Sequence, residues 1–307
     1  MILDLPEFFR NKSPDTYPPF KNGKYMEEYF YTFFLEHKEL FNTKYVYIPV
    51  FWTNLQVSSD FEAKKEYYNN FLKEVFNIYT NDTKYFTIVQ HDDGVLLNIP
   101  QSTLIFGACS GHIPLPLIYE DTHNTLKTIK DNFNHSKNIV CSFIGSETHL
   151  IRSQLKKFIQ IPNYFIHLKC WELTMNHNTV NNYISIVIQS IFTLAPRGYG
   201  RSSFRFFECF LLNSIPIYIY DDVNWLPYQD ILDYSKICIV IHENEIDSLP
   251  KIIESIPEEK QKEMLNEIDK HKSFYTLDFM CKYICDTLKK NNTYILYSGK
   301  RPMNFLQ

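Results

Sequence analysis

Residues 192–222, FTLAPRGYGRSSFRFFECFLLNSIPIYIYDD, constrain the fold of this chain more than any other stretch. An apolar run ends at Pro196, which has no N–H with which to extend a strand ladder. Ser202 or Ser203 then precedes apolar residues at helical spacing, and either serine can cap a helix there. A second apolar run, IPIYIY, follows the helix. Strand, helix and strand in this order predict a βαβ unit with parallel strands.

Strands and helices alternate along the rest of the chain in the same way. In the first half, the predicted strands are 44–52, 84–90 and 102–109, and the predicted helices are 25–41 and 60–79. In the second half, the predicted strands are 139–145, 164–168, 192–196, 215–220 and 237–241, with helices at 147–160, 179–190, 202–213, 246–256 and 258–288. A chain of 307 residues exceeds the usual size of one core, and the polar stretch 119–138 is the best candidate linker. The sequence therefore predicts two α/β domains in tandem.

Charge and cysteine content limit the classes of partner and compartment. The net charge of −4 provides no overall basic surface for nucleic acid or for an anionic membrane, so any anion site must be local. The seven scattered cysteines form no CxxC pair, which is more typical of a reducing compartment than of a disulfide framework. No signal-peptide pattern and no apolar run long enough for a membrane span occur. We therefore expect a soluble, cytoplasmic protein without a nucleic-acid partner.

The predicted helix after Pro196 begins within a cluster of basic, glycine and serine residues: Arg197, Gly198, Gly200, Arg201, Ser202, Ser203 and Arg205. Free N–H groups at a helix N-terminus favour an anion, and glycines let a phosphate approach the backbone. Glu208, farther along the helix, suits the two hydroxyl donors of a ribose. The alternative is a capped helix with a simple Arg205–Glu208 ion pair. Because the spacing is neither GxxxxGK[ST] nor GxGxxG, the segment indicates a phosphate or nucleotide site of another kind.

This segment resembles the C-terminal motif of exostosin-type glycosyltransferases. In that family a strand ending in Pro-x-Gly precedes Ser-x-Arg-x-x-Glu, a proline-containing apolar strand and a Leu-Pro-aromatic segment. The matching residues here are Pro196, Gly198, Ser203, Arg205, Phe207 and Glu208, then Ile215, Pro216, Ile217, Leu226, Pro227 and Tyr228. Three earlier stretches are also similar to the family: YVYIPVFW (45–52), FTIVQHDDG (86–94) and FIGSETHLIR (143–152). The chain departs from the family at Asn213 and Ser214, where Gly-Cys is usual.

The resemblance implies a GT-B architecture, in which two Rossmann-like domains face each other across a cleft. Residues 1–135 would then bind the acceptor and residues 136–290 the nucleotide-sugar donor, with a tail, 291–307, packing back on the N-terminal domain. The implied reaction moves a sugar, with inversion, from a UDP-sugar to a hydroxyl of an oligosaccharide or glycoprotein glycan. It needs no divalent metal or other cofactor. Family members usually carry a membrane anchor that this sequence lacks, so we expect a soluble viral or microbial member, in the host cytoplasm if viral.

The candidate catalytic residues follow the predicted strand 84–90. Ligands of open α/β sheets bind at the carboxyl ends of the strands, so Asp92 and Asp93, and after them His91, are the candidates for the base that deprotonates the acceptor. For Asp93 the alternative is a tight turn with Gly94. Neither Asp92-Asp93 nor Asp221-Asp222 has the neighbours typical of a metal site.

Other strand ends supply the candidates for donor binding. Arg152, Arg197 and Arg205 would stabilise the departing diphosphate, and Arg201 would face solvent or the other domain. Asp221 and His242 would contact the sugar, ribose or base, as would Trp225 unless it only packs. The alternative function is a catalytically silent nucleotide- or glycan-binding module with the same fold.

Overall fold

The computed structural model describes residues 1–12, 24–80, 82–119, 136–170 and 177–290, although not the side chains of 177–179. These residues form an α/β protein with two parallel sheets. The predicted tail, 291–307, lies outside the described ranges, as does nearly all of the candidate linker, 119–138.

The first sheet has four parallel strands in the order β1-β2-β3-β4. The strands are β1 (Tyr45–Tyr47), β2 (Lys84–Val89), β3 (Leu104–Gly107) and β4 (Ile113–Pro114), with helices α1 (Met26–Glu36), α2 (Trp52–Gln56) and α3 (Phe61–Asn77). The predicted strand 44–52 was wrong in extent. It ends at Tyr47, and Pro49 follows without an N–H to continue the ladder. The same residues instead lead into α2.

The second sheet has five parallel strands in the order β6-β5-β7-β8-β9. They are β5 (Ile139–Ser146), β6 (Tyr164–Lys169), β7 (Ser190–Pro196), β8 (Ile215–Tyr220) and β9 (Ile239–His242). The helices are α4 (Leu150–Gln154), α5 (His177–Gln189), α6 (Phe204–Leu212), α7 (Leu249–Glu254), α8 (Glu258–His271) and α9 (Leu277–Lys289). The predicted βαβ unit is confirmed as β7-α6-β8. The single helix predicted over 258–288 is wrong, because a 3-10 turn at Lys272–Tyr275 divides it.

The last described helix packs on the first one, across the two halves of the chain. Tyr29 of α1 donates a hydrogen bond to Asp278 of α9 at 2.8 Å, and the Cys285 thiol donates to the Leu40 carbonyl at 3.0 Å. One hydrophobic core includes residues from both sheets and from α1 and α9. The two halves of the chain therefore share part of one core. None of the helices in the described ranges is long and apolar enough to cross a membrane.

Candidate active site between the two sheets

Residues 197–203, called here the glycine-arginine loop, connect the end of β7 to the start of α6. The Arg197 N–H donates to the Ile219 carbonyl, and the Gly198 N–H donates to the Ser202 carbonyl at 3.3 Å, which closes the loop. Ser203 directly precedes the helix, but its side chain makes no capping hydrogen bond, so the predicted cap is wrong. Its Oγ is buried and has no partner within the described residues. An uncapped helix N-terminus with a spare hydroxyl is therefore present where an anion was predicted to bind.

Arg152 lies beneath this loop and is buried. Its Nε donates to the Arg197 carbonyl at 2.9 Å, and its two Nη nitrogens donate to the carbonyls of Ser146 (2.9 Å) and Pro196 (3.4 Å). A Cβ on Gly198 would lie 3.1 Å from Arg152 Nη2, so a small residue suits this position. The guanidinium therefore joins the ends of β5 and β7 and supports the loop. Direct contact of Arg152 with a donor stays a prediction.

Arg205, on the first turn of α6, is only half-buried. Its Nε donates to the Ile144 carbonyl, and its guanidinium lies over the rings of Phe143 and Tyr183, 5.6 and 5.5 Å from the centroids. A Cβ on Gly145 would lie 3.0 Å from Arg205 Cζ, so the glycine makes room for this guanidinium. Neither Nη nitrogen has a hydrogen-bond or ion-pair partner in the described part of the chain. Arg205 is thus the arginine whose donors remain available to a ligand.

Glu208 does not pair with Arg205, contrary to the simple ion-pair interpretation. Its two carboxylate oxygens accept hydrogen bonds from the hydroxyls of Tyr119, at 2.9 Å, and Tyr183. Glu208 is almost completely buried, with 9 % of the residue exposed. Two hydroxyl donors already occupy the position predicted for a ribose diol, so a ribose would have to share or replace them. The contact between Glu208 and a ribose stays a prediction.

The acidic pair after β8 is engaged by the two arginines of the loop. Arg197 Nη1 lies 2.7 Å from an oxygen of Asp221 and 3.3 Å from one of Asp222, and Arg201 Nε lies 2.7 Å from the other Asp222 oxygen. Burial raises the pKa of Asp221, but the hydrogen bond and charge of Arg197 outweigh this and hold the pKa below its usual value. Asp221 is therefore an ionised partner of Arg197 in the unliganded protein.

Arg201 does not face solvent, as its side chain is only 12 % exposed. Its guanidinium lies 5.7 Å from the ring centroid of Trp225. The indole of Trp225 is buried, and its Nε1 donates to the carbonyl of Gly107, at the end of β3, at 3.3 Å. The solvent-facing alternative is therefore wrong for Arg201, and its predicted contact with the other domain stays a prediction. Trp225 itself packs against the end of β3.

Two histidines lie next to Asp221, one at its backbone carbonyl and one at its carboxylate. His242 Nε2 is 2.6 Å from the Asp221 carbonyl, and its Nδ1 accepts from the Asn244 N–H at the start of a 3-10 turn. His149, which the sequence analysis missed, has its Nε2 3.4 Å from Asp221 Oδ2. Its position just after β5, within FIGSETHLIR, was the available signal. His242 thus lies at the predicted site, and its role toward a donor stays a prediction.

In the first sheet, residues 91–94 form a turn just after the end of β2. The Gly94 N–H donates to the His91 carbonyl at 2.9 Å, and Gly94 has φ +72°, which favours glycine. The alternative of a tight turn at Asp93-Gly94 is therefore present. The Asp93 N–H also donates to His91 Nδ1 at 3.2 Å. Burial lowers the pKa of His91, against the charges of Asp92 and Asp93, and so favours the neutral ring.

Asp92 is exposed to solvent yet surrounded by protein, as expected for a carboxylate that lines a cleft. Desolvation raises its pKa, and the hydrogen bond from Cys109 and the charge of His91 oppose this. The Cys109 thiol donates to Asp92 Oδ1 at 3.2 Å. Burial and the charge of Asp92 raise the pKa of this thiol, so it stays protonated and keeps donating to the carboxylate.

Gly200 brings the two halves of the site into contact. A Cβ at this position would lie 2.3 Å from Asp92 Oδ1 and 2.7 Å from Cys109 Sγ, so only glycine allows the loop to lie on the carboxylate. The neighbouring Tyr199 is 64 % exposed, and the charge of Asp93 raises the pKa of its hydroxyl. The residues predicted separately at the ends of β2 and β7 thus form a single site.

A second residue that the sequence analysis missed lies behind this site. Glu27, in the first turn of α1, is 1 % exposed. Its Oε1 accepts from the Thr53 N–H (3.0 Å), the Thr53 hydroxyl (2.7 Å) and the Gln90 N–H (3.1 Å), whereas its Oε2 is buried with no partner in the described ranges. Burial raises the pKa of Glu27 despite these hydrogen bonds. Glu27 thus holds the backbone of Gln90, the residue before the 91–94 turn. Nothing in the sequence indicated this role, because two adjacent glutamates in the first turn of a helix are typical of a solvent-exposed position.

Within the described part of the chain, no group of three or more His, Cys, Asp or Glu side chains is arranged to hold a metal ion. A metal-independent reaction stays a prediction.

The region around the glycine-arginine loop is the part of the chain that is similar to known proteins. The exostosin GT47 domain model matches residues 110–256, which include the loop, α6 and the ends of β5, β7, β8 and β9, but not the 91–94 turn. The chain is 32% identical over 83 residues to the exostosin-1 homolog of Caenorhabditis elegans, covering 27% of this chain and 21% of that protein. It is 28% identical over 123 residues to a probable glucuronosyltransferase of Oryza sativa subsp. japonica, covering 40% and 26%.

A third relative is a probable beta-1,4-xylosyltransferase of Arabidopsis thaliana, which is 30% identical over 89 residues, or 29% of this chain and 21% of that protein. The matches therefore span about a fifth to a quarter of the length of these relatives.

Proposed function

We propose that the chain is an exostosin-type glycosyltransferase, because that family's domain model matches residues 110–256 and the relatives carry exostosin and glycosyltransferase names, and that it transfers a sugar from a nucleotide-sugar donor to a hydroxyl group of a glycan. Its two parallel α/β sheets are consistent with the GT-B architecture of that family. The observation that carries the proposal is the contact between Gly200, at the entrance to α6, and the Asp92 carboxylate. A group able to bind diphosphate and a group able to accept a proton thus lie side by side.

The donor side of the proposal rests on the N-terminus of α6. Neither the Nη nitrogens of Arg205 nor the buried Ser203 hydroxyl has a partner among the described residues. Together with the first N–H groups of the helix, they form a site for the diphosphate of a UDP-sugar. Arg197 can join them if the diphosphate replaces Asp221 as its partner. Negative charge that develops on the departing diphosphate is stabilised there.

The acceptor side rests on Asp92. Its carboxylate accepts the proton of the acceptor hydroxyl while the hydroxyl oxygen attacks the anomeric carbon. The bond between that carbon and the diphosphate oxygen breaks, and its electron pair leaves with the nucleoside diphosphate. Attack from the face opposite the leaving group inverts the anomeric configuration. A raised pKa makes Asp92 a stronger base than an ordinary carboxylate.

A second candidate function is a silent nucleotide- or glycan-binding module. Internal partners of Glu208 and Arg197 favour it, since both residues are occupied in the structure. The two functions differ in turnover and not in binding.

The experiment is a screen of UDP- and GDP-sugars for hydrolysis, combined with thermal-shift measurement of UDP and GDP binding. We expect UDP to raise the Tm and at least one UDP-sugar to be hydrolysed. Binding without turnover of any donor, with or without glycan acceptors, would support the silent module. No Tm shift with either nucleotide would contradict the transferase and the nucleotide-binding module, and would leave only a glycan-binding module.

Glu208→Ala tests the donor site within this screen. If Glu208 holds the ribose, the variant stays folded and loses UDP-sugar turnover. The matched variant Tyr183→Phe removes one internal partner of Glu208 and should retain turnover. Wild-type turnover by Glu208→Ala would show that the carboxylate serves only the two tyrosines.

A further inference from the structure

A groove of about 430 Å³ lies on the N-terminal half of the chain, apart from the site described above. One wall is the face of α3 that carries Asn69, Asn70, Lys73, Phe76 and Asn77. The opposite wall is the segment 98–100, which follows the 91–94 turn along the chain. We refer to this feature as the amide groove, because four of its lining residues are asparagines.

Most polar side chains that line the amide groove have no partner in the part of the chain that the structure describes. The side-chain amides of Asn70, Asn77 and Asn98 make no hydrogen bond within the described ranges, and Lys73 makes no ion pair there. Asn69 differs, since its Oδ1 accepts from the Asn98 N–H at 2.7 Å and joins the two walls. An amide both donates and accepts, so three unpaired amides match a ligand that has many hydroxyl groups.

The rest of the lining is apolar. The ring of Phe76 is partly exposed and packs edge-on against Tyr85, with centroids 5.2 Å apart, and Ile99 and Pro100 face it from the other wall. A sugar ring presents hydroxyl groups at its edge and C–H groups on its face. Amides together with an aromatic and aliphatic surface provide contacts for both, in a volume typical of small-ligand sites.

We propose that the amide groove is a second carbohydrate-binding site, which holds a sugar unit of an oligosaccharide acceptor away from its reacting hydroxyl. The unpaired Lys73 ammonium gives the groove a positive charge and favours a unit that carries a carboxylate. The assignment of this ligand as an acceptor rests on the proposed function, whereas binding itself does not.

The groove lies toward the amino end of β2, where Phe76 packs on Tyr85, and a short stretch of chain joins it to the turn at the carboxyl end of that strand. Asn98 is six residues from Asp92, so the two backbones are at most about 22 Å apart. Gln56 holds the connecting stretch in place, because its amide donates to the Gly94 carbonyl at 2.8 Å and accepts from the Leu96 N–H at 2.9 Å. An oligosaccharide of several units spans this distance.

Isothermal titration calorimetry with two hexasaccharides tests the proposal on the full chain. One probe is a neutral β-1,4-linked glucose hexasaccharide, and the other alternates a uronic acid with a neutral sugar. We expect both to bind the wild type, the acidic one more tightly. The triple variant Asn70→Ala/Asn77→Ala/Asn98→Ala should bind each at least tenfold more weakly. Asn70 and Asn77 are exposed positions of α3, where alanine is a favoured residue, so we expect the variant to fold.

Two further variants complete the test. Lys73→Gln should reduce the affinity for the acidic probe to that for the neutral one. Asn266→Ala, an exposed asparagine on α8, is the matched control and should change neither affinity. Undetectable binding of both probes to the wild type, or unchanged binding by the triple variant, would overturn the proposal.

The Tm shift with UDP, measured on the same samples, separates this proposal from the proposed function. The triple variant should keep the wild-type UDP shift, because the groove and α6 share no residue. If the wild type binds the hexasaccharides in the groove but shows no UDP shift, the carbohydrate site stands and glycosyl transfer fails.

Discussion

The chain places the dipeptide Asp-Asp twice at the carboxyl end of a parallel strand, and the two pairs differ in electrostatic state. Asp92, near the end of β2, is surrounded by protein without a directly paired cation, so desolvation raises its pKa. Asp221, after β8, is partly buried, but Arg197 donates to it at 2.7 Å and its pKa is lowered. The same residues at the same topological position thus become a basic carboxylate in one sheet and a counter-ion in the other. Neighbours from other elements, and not the local sequence, make this difference.

Replacing Asp92 and Asp221 in turn should give the largest difference in kinetic behaviour. Asp92→Asn should retain the Tm shift with UDP and lower kcat by about 10²- to 10⁴-fold, as expected for loss of a general base. Asp221→Asn should act mainly on the KM for the donor, because it changes the partner of Arg197. Steady-state kinetics with a saturating acceptor measure both. If Asp92→Asn and Asp93→Asn both turn over normally, the base lies elsewhere.

Gly200→Ala tests whether the two strand ends must touch. The added methyl group would overlap Asp92 Oδ1 at 2.3 Å, so it must displace either the carboxylate or the loop. A displacement of about 1 Å costs on the order of 10²-fold in rate, and we expect a loss of that size in kcat. UDP binding and the far-UV circular dichroism spectrum should be unchanged. Full activity in this variant would show that the contact is not required for transfer.

Alanine variants of Arg205 and Arg152 should distinguish a role in ligand binding from a role in supporting the loop. Arg205→Ala should weaken UDP binding by about ten- to hundredfold, the range for hydrogen bonds to a charged group, with little change in stability. Arg152→Ala leaves three main-chain carbonyls without their donor and should lower the free energy of unfolding by about 2 kcal/mol or more.

Titration calorimetry and urea denaturation measure these two effects. The reverse outcome, in which Arg152→Ala is stable and Arg205→Ala unfolds, would exchange the two roles.

The smallest expected effect is a pH-dependent gain in stability on replacing Asp92. Its pKa is higher in the folded than in the unfolded chain, so the folded state favours the protonated form. Ionised Asp92 therefore lowers stability above its folded pKa, and this cost disappears as the pH falls below the unfolded value of about 3.9. Asp92→Asn should raise the Tm at pH 7 and change it less near pH 4. For Asp221, whose pKa is lowered, replacement by asparagine should instead lower the Tm at pH 7.

Much of the architecture was predictable because it depends on local patterns. Alternating apolar runs and amphipathic stretches predicted the strands of both sheets except the two-residue β4, and Pro196 correctly marked the end of β7. The predictions failed where a local pattern competes with packing. The Ser203 side chain does not cap α6, a 3-10 turn divides the predicted helix 258–288, and Arg201 lies against Trp225 instead of solvent.

The sequence by itself determined the strand order along the chain, the glycine-arginine loop before a helix, and the carboxylates at a strand end, since these follow from residue type and spacing. Tertiary structure alone decided which of them meet. Asp92 and Gly200 are 108 positions apart in the sequence and touch only because the two sheets pack with their carboxyl edges together. Glu27 became a buried anchor of Gln90 because α1, α2 and β2 converge on it. The pKa shifts of Asp92 and Asp221 follow from such long-range neighbours, because desolvation and charge pairing act through space and leave no pattern in the sequence.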